Sequence, residues 1–200
     1  VTGNITPVSG SRMNPDIPKI PEIVLVDGKQ VQMTLAEALS LLKEGDIVFK
    51  GANLLNYERR QAAVCIGSPE GGTTAKIRPC VGDGKARFII PVGLEKEVPG
   101  DLSAIEKNLS GDAPRINELP RVWVHCDGEI FTELEAVKIF GEVEVFPYAA
   151  GGISGREGGI SLVISGYPAE VKKVLEVVER IQGEKDRKST RLNSSHVSQS

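Results

Sequence analysis

The chain has 200 residues, of which 40% are apolar, 4% aromatic and 26% charged, and its formal net charge is -3. That balance suits a globular α/β protein; a basic footprint for nucleic acid is absent, and no apolar run is long enough to span a bilayer. Cys65, Cys80 and Cys126 lie far apart without a C-x-x-C pair, so neither a disulfide framework nor a zinc ribbon is indicated, and reduced thiols in the cytoplasm are expected.

In chain order, residues 1–31 read as the remnant of a truncated chain. Pro7, Pro15, Pro18 and Pro21 deny its opening stretch a helix or a central strand. Glu22 to Val26 and Lys29 to Met33 flank Asp27-Gly28, a strong hairpin signal. Thr34-Leu35-Ala36-Glu37 is a capping box, which predicts a helix through Leu35, Leu39 and Leu42 that stops at Gly45. Asp46 to Lys50 and Ala62 to Gly67 read as strands joined by a loop holding Asn53 and Asn56. A helix should start near Thr73 and be kinked or shortened by Pro79. Arg87 to Pro91 is then a strand and Leu102 to Leu109 a helix. This alternation predicts an α/β fold over residues 32–117, a Rossmann-like three-layer domain with a mostly parallel sheet.

Beyond the proline-containing linker Ala113 to Pro120 the texture changes. Val122 to His125 and Glu129 to Thr132 flank Asp127-Gly128, and Thr132-x-x-Glu135 opens a second capping box for a short helix ending at Gly141. Glu142 to Pro147 and Ile160 to Ser165 read as strands around the Gly-rich stretch Ala149 to Gly159. A last helix carries Val171, Val174, Leu175 and Val178 on one face. The order β-α-β-β-α predicts a ferredoxin-like α+β unit over residues 118–185. Asp186 to His196 back-translates in frame into a common short-read sequencing adaptor, so residues 186–200 read as a non-native tail. Without it the formal charge goes from -3 to -5, because Asp186 leaves together with Arg187, Lys188 and Arg191, and His125 becomes the sole histidine. A two-histidine metal site within the chain is thereby excluded, and no motif calls for a metal or other cofactor.

Three strand ends carry the candidate site, since ligands of open parallel sheets bind at the carboxyl ends of the strands. The strands near Phe49, Ile66 and Ile90 run into Gly51-Ala52-Asn53, Gly71-Gly72-Thr73-Thr74 and Gly93-Leu94-Glu95-Lys96. Gly71 to Thr74 would offer backbone N–H groups and hydroxyls to an anion, with a helix dipole behind them. The competing reading is a tight turn with a threonine N-cap, and the lysine of a Walker loop is absent. Asn53 donates and accepts at once, which serves a ligand or a turn. Glu95 is the one candidate catalytic residue, as nucleophile or base, with Lys96 and Lys50 to hold an anion; an exposed ion pair is the plain alternative. Arg156, in the loop from Gly151 to Gly159, could reach an anion or belong to a flexible connector. His125 and Cys126 are neighbours on a strand, point to opposite faces and form no dyad.

On Gly51-Ala52-Asn53, Gly71-Gly72-Thr73 and Pro91-Val92-Gly93-Leu94-Glu95-Lys96, the central region resembles the superfamily that joins ribose-5-phosphate isomerase, glucosamine-6-phosphate deaminase and the CoA transferases. Its lactate-utilisation (LUD) branch is the most similar. The resemblance covers roughly Thr34 to Leu109. It implies a Rossmann-like sheet and a sugar-phosphate, acyl-CoA or organic-acid ligand. Counterparts of the isomerase's catalytic Asp and Lys loops are missing, and Glu95 lacks the Gly-rich context of the CoA-transferase nucleophile. The expectation is a cytoplasmic protein that binds a small anionic metabolite at the strand carboxyl ends, with catalysis left open and neither nucleic acid nor membrane as partner. The alternative is a non-catalytic sensor or assembly module, in which the C-terminal unit joins subunits into a homo-oligomer.

Overall fold

The computed structural model describes residues 22–68, 70–82, 85–110, 121–125, 128–153 and 158–182. The linker 113–120, Arg156 and the tail 186–200 lie outside the described residues. By contacts the chain divides into two compact units, one holding the first hairpin and the end of the last helix, the other running from Ala36 to Val177. In the first, β1 (Val24–Val26) pairs antiparallel with β2 (Lys29–Val31). Asp27 and Gly28 between them have φ of 49° and 75°. Two consecutive left-handed residues make the turn whose twist matches that of the flanking strands, as the Asp-Gly signal predicted.

The chain continues through α1 (Leu35–Leu41), β3 (Ile47–Phe49), β4 (Leu54–Asn56), β5 (Gln61–Ile66), α2 (Gly72–Ile77), β6 (Arg87–Pro91) and α3 (Leu102–Ser110). It ends with β7 (Arg121–His125), β8 (Glu129–Phe131), α4 (Glu133–Ile139), β9 (Val143–Ala150), β10 (Ile160–Gly166) and α5 (Pro168–Ile181). Strands β3, β6 and β8 form a parallel sheet with β6 central, while β4, β5 and β7 form an antiparallel sheet with β5 central. β9 and β10 make a separate antiparallel pair.

The two central sheets stack through their apolar faces. In β6 the exposed Arg87 and Pro91 alternate with the buried Phe88 and Ile90, the period-2 pattern of a half-covered strand. The Phe88 ring meets the His125 ring of β7 edge-on, with centroids 5.1 Å apart. β5 is buried on both faces, so Ala62, Ala63 and Val64 are consecutive and all inaccessible. On the far side α3 lays Leu102 against Ala63, Val122 and Val124. The order of layers is therefore helix, antiparallel sheet, parallel sheet.

The α/β class expected from the sequence holds, and two finer expectations are corrected. Ala62 to Gly67 does not join the parallel sheet. Leu54 to Asn56, read as loop, turns back through Tyr57 to Arg60, with Arg60 at φ 52°, and pairs antiparallel with β5. β7 takes the other edge of β5, leaving it no parallel partner. Nor do Val122 to His125 and Glu129 to Thr132 begin a ferredoxin-like unit: β7 completes the antiparallel sheet and β8 the parallel one. Gly128 permits the crossing, because a Cβ there would lie 2.3 Å from Ile90 Cδ1. Pro79 ends α2 in a short 3-10 turn, Arg78–Cys80, as expected.

Candidate functional site

The carboxyl edge of the parallel sheet collects three loops, though not the three expected. Those after β3 and β6 are present, and the third is Thr132 to Glu135 after β8. Lys96 Nζ donates to the Ala52 carbonyl at 3.0 Å and stands 4.0 Å from Glu95. The Leu94 amide donates to the Glu133 carboxylate at 3.0 Å. Gly93 lies beneath the Glu95 carboxylate, where a Cβ would come within 1.8 Å of Oε2, whereas a Cβ on Gly51 would meet the Pro91 carbonyl at an ordinary contact distance. Gly51, Gly93, Glu95 and Lys96 thus lie at one edge, where the Lys96 amide donates to the Gly93 carbonyl at 3.0 Å and its ammonium to Ala52. Burial lowers the Lys50 ammonium beside them. Asn53 extends the pairing of β4 with β5: its amide donates to the Ala63 carbonyl at 2.8 Å and its Oδ1 accepts from the Cys65 amide at 2.9 Å. Of the two readings of Asn53, this is the turn chemistry.

The same edge holds the most bonded carboxylate among the described residues. Glu135 accepts from the Thr132 amide at 2.8 Å and hydroxyl at 2.7 Å, from Tyr57 at 2.7 Å and from Arg60 at 3.1 Å. Arg60 also donates to the Ile130 carbonyl at 3.0 Å. Burial works to raise the Glu135 carboxyl, but the bonds from Thr132, Tyr57 and Arg60 outweigh it and hold the group at about 2. Burial and Glu135 together raise the Tyr57 phenol. Every acceptor position of this carboxylate is in use, so it ties β8 and α4 to the β4–β5 turn.

Gly71 to Thr74 lies elsewhere. Gly71 and Gly72 have φ of 85° and 56°, and a Cβ on Gly71 would sit 2.4 Å from Trp123 Cζ3. No side chain caps α2, and Thr74 is buried. Two left-handed residues and close approach to an indole account for both glycines as a turn. Gly71 nonetheless lines a cavity of about 530 Å³ together with Ile66, Ser68 and Glu70, Ser103, Glu106, Lys107 and Ser110 of α3, and Arg121, Val122 and Trp123 of β7. Gly72, Thr73 and Thr74 are not part of its lining. Neither Lys107 nor Arg121 enters an ion pair among the described residues. Glu106 Oε2 is turned toward the Val124 amide at 3.4 Å, and the Arg78 guanidinium stands 5.3 Å from the Trp123 ring centroid.

Sequence reasoning passed over Lys107, Arg121 and Trp123. A signal existed: Ser103, Glu106, Lys107 and Ser110 fall at i, i+3, i+4 and i+7, a polar stripe along α3 beside the apolar stripe of Leu102, Ile105 and Leu109. Among the described residues, no group of three or more His, Cys, Asp and Glu side chains could hold a metal ion, and no helix is long and apolar enough to cross a membrane. Comparison with protein-family models, with curated proteins and with solved structures finds no match for this chain.

Proposed function

We propose that this protein binds a small polyhydroxylated anion of the sugar-phosphate class in the groove between the Ile66 to Gly71 turn, α3 and β7. The observation that carries this reading is the placement of Lys107 and Arg121, without ion-pair partners among the described residues, on a cavity of about 530 Å³. That volume lies in the range of small-molecule sites. An arginine fork matches the geometry of a phosphate and a lysine adds a point charge. Glu70 and Glu106, on the same lining, accept from hydroxyl groups and disfavour a second anionic group, which makes acyl-CoA and polycarboxylate ligands the poorer fit. Gly71 keeps its place in the site, contributing backbone rather than a side chain.

The reading is one of binding, with no reaction assigned. A Rossmann-like crevice at Gly51, Asn53, Gly93, Glu95 and Lys96 would place the ligand at the other edge, where Lys96 already donates to the Ala52 carbonyl and Asn53 is bonded to β5. Calorimetric titration of the folded chain with aldose and ketose monophosphates, inorganic phosphate, acetyl-CoA and citrate separates the two. A sugar monophosphate should bind best. Arg121→Ala should weaken it roughly 10- to 100-fold, the worth of one charged hydrogen bond, and Thr73→Ala and Glu95→Gln should leave it unchanged. Loss of binding in Glu95→Gln, or undiminished binding in the Lys107→Ala/Arg121→Ala double variant, would overturn the assignment.

A further inference from the structure

Trp123 is the one tryptophan of the chain, and the fold leaves it only half-buried. Along β7 the buried Val122 and Val124 alternate with Arg121, Trp123 and His125, which are less covered, so Arg121 and Trp123 project from one face of the strand, roughly 7 Å apart. Both line the cavity. The indole is held from two sides. Gly71 packs so closely that a Cβ there would lie 2.4 Å from Cζ3 and 3.2 Å from Cε3, and the Arg78 guanidinium stands over the ring, 5.3 Å from its centroid. An apolar ring fixed beside two cations and two carboxylates has its chemical counterpart in a closed sugar, whose C–H groups form apolar faces inside a rim of hydroxyls. Taking the groove as a sugar-phosphate site, on which this depends, we propose that Trp123 selects the sugar: a closed hexose ring lies on the indole while Arg121 holds the phosphate it carries.

The spacing suits such a ligand. In a hexose monophosphate the phosphoryl group is separated from the ring by the ester oxygen and at most one further carbon, a reach of the same order as the step from Arg121 to Trp123 along the strand. Glu70 and Glu106, on the same lining, accept from the hydroxyls at the rim of the ring while the indole meets its face. Gly71 and Arg78 keep the indole in one orientation before the ligand arrives, so little freedom is lost there on binding. An open-chain polyol phosphate carries the same phosphate and hydroxyls but has no face to stack, and it gives up more rotational freedom when bound. Recognition of charge stays with Arg121 and Lys107; the choice between a ring and a chain falls to Trp123.

The test uses the whole chain, followed by calorimetry and by indole emission, which a single tryptophan makes specific to the site. Glucose 6-phosphate and mannose 6-phosphate are each set beside the alditol phosphate that reduction makes of it, which keeps the phosphate, adds a hydroxyl and has no ring. At least one cyclic phosphate should bind about five- to tenfold more tightly than its alditol, the worth of one aromatic contact, and should shift the emission with the affinity that calorimetry gives. Trp123→Leu should bring that sugar down to the affinity of its alditol and leave the alditol unchanged, whereas Trp123→Phe, which keeps a ring, should retain part of the preference. The comparison of ring with chain on the parent needs no variant to fold. Equal binding of ring and chain, an emission that binding does not move, or a preference that survives Trp123→Leu would refute the role of Trp123 while leaving the ligand class of the groove intact. Absence of binding by all four phosphates would overturn both.

Discussion

At single residues, the distance of a clash is a poor guide to its cost; what matters is whether the neighbour can move. A Cβ on Gly93 would come closest of all, 1.8 Å from Glu95 Oε2. The Glu95 side chain is 38% exposed and can swing into water, giving up only a surface pair, so Gly93→Ala should change stability by less than about 0.5 kcal/mol. Gly128→Ala presses instead on Ile90 and Phe88, which are 0% and 5% exposed and have nowhere to go; an overpacking cost of about 1 to 3 kcal/mol is expected. Gly71→Ala meets Trp123 and also forces a side chain into the left-handed region, adding about 1 kcal/mol to the same kind of cost. Urea denaturation of the three variants should rank them Gly93, Gly128, Gly71 in increasing loss, and a Gly93 variant as damaged as the other two would contradict the argument. A tight turn at Gly71 to Thr74 was one of the two readings the sequence allowed. What presses on it was not legible, because Trp123 is distant along the chain and only folding brings the indole against the turn.

Helices and strands differ in how much of themselves they write locally. The Thr132-x-x-Glu135 box was read correctly because both partners lie within one turn: Thr132 Oγ1 accepts from the Leu134 amide and Glu135 answers to the Thr132 amide. What four residues cannot display is that Tyr57 and Arg60 reach the same carboxylate from another element. That convergence has a pH signature. Glu135 is held at about 2 in the folded protein and returns to about 4.3 when unfolded. Its contribution is therefore complete above the unfolded value and is lost as pH falls from there toward 2. Unfolding free energy measured between pH 6 and 2 should drop by on the order of 2 kcal/mol more in the parent than in Glu135→Gln, whose profile should be flatter in that window. Parallel profiles would show that Glu135 is not the group responsible. Strands were harder: Ala62 to Gly67 is a short apolar run whose first three residues are buried in succession, and such a run reads identically in a parallel or an antiparallel setting. The choice was made by Leu54 to Asn56, too short to announce itself as a strand.

Across the whole molecule, nearly every strand could be located from the sequence and few of their partners could, since pairing joins Ile47 to Arg87 and Ala62 to His125 with nothing local to mark it. The groove at Lys107 and Arg121 was hidden for the same reason, being assembled from a turn, a helix and a strand that no motif links. Burial and pairing also set how the molecule opens. Ala62 and Ala63, inaccessible and paired with a strand on either edge, should be among the last amides to exchange with deuterium, and the two-stranded β1–β2 hairpin, with Leu25 62% exposed, among the first. Mass spectrometry of exchanged peptides would show the reverse order if the hairpin were the stable part. Finally, β7 and β8 are consecutive in the chain yet close different sheets, and this governs the timing of assembly during synthesis. Until Arg121 to Phe131 begins to leave the ribosome, both sheets lack their last strand and both β5 and β6 present an open edge, the exposure that invites aggregation in nascent chains. The final contacts span long stretches of sequence, so the closing step should be slow, and a ribosome stalled just before Arg121 should hold a chain that binds chaperones while one stalled well past Phe131 does not.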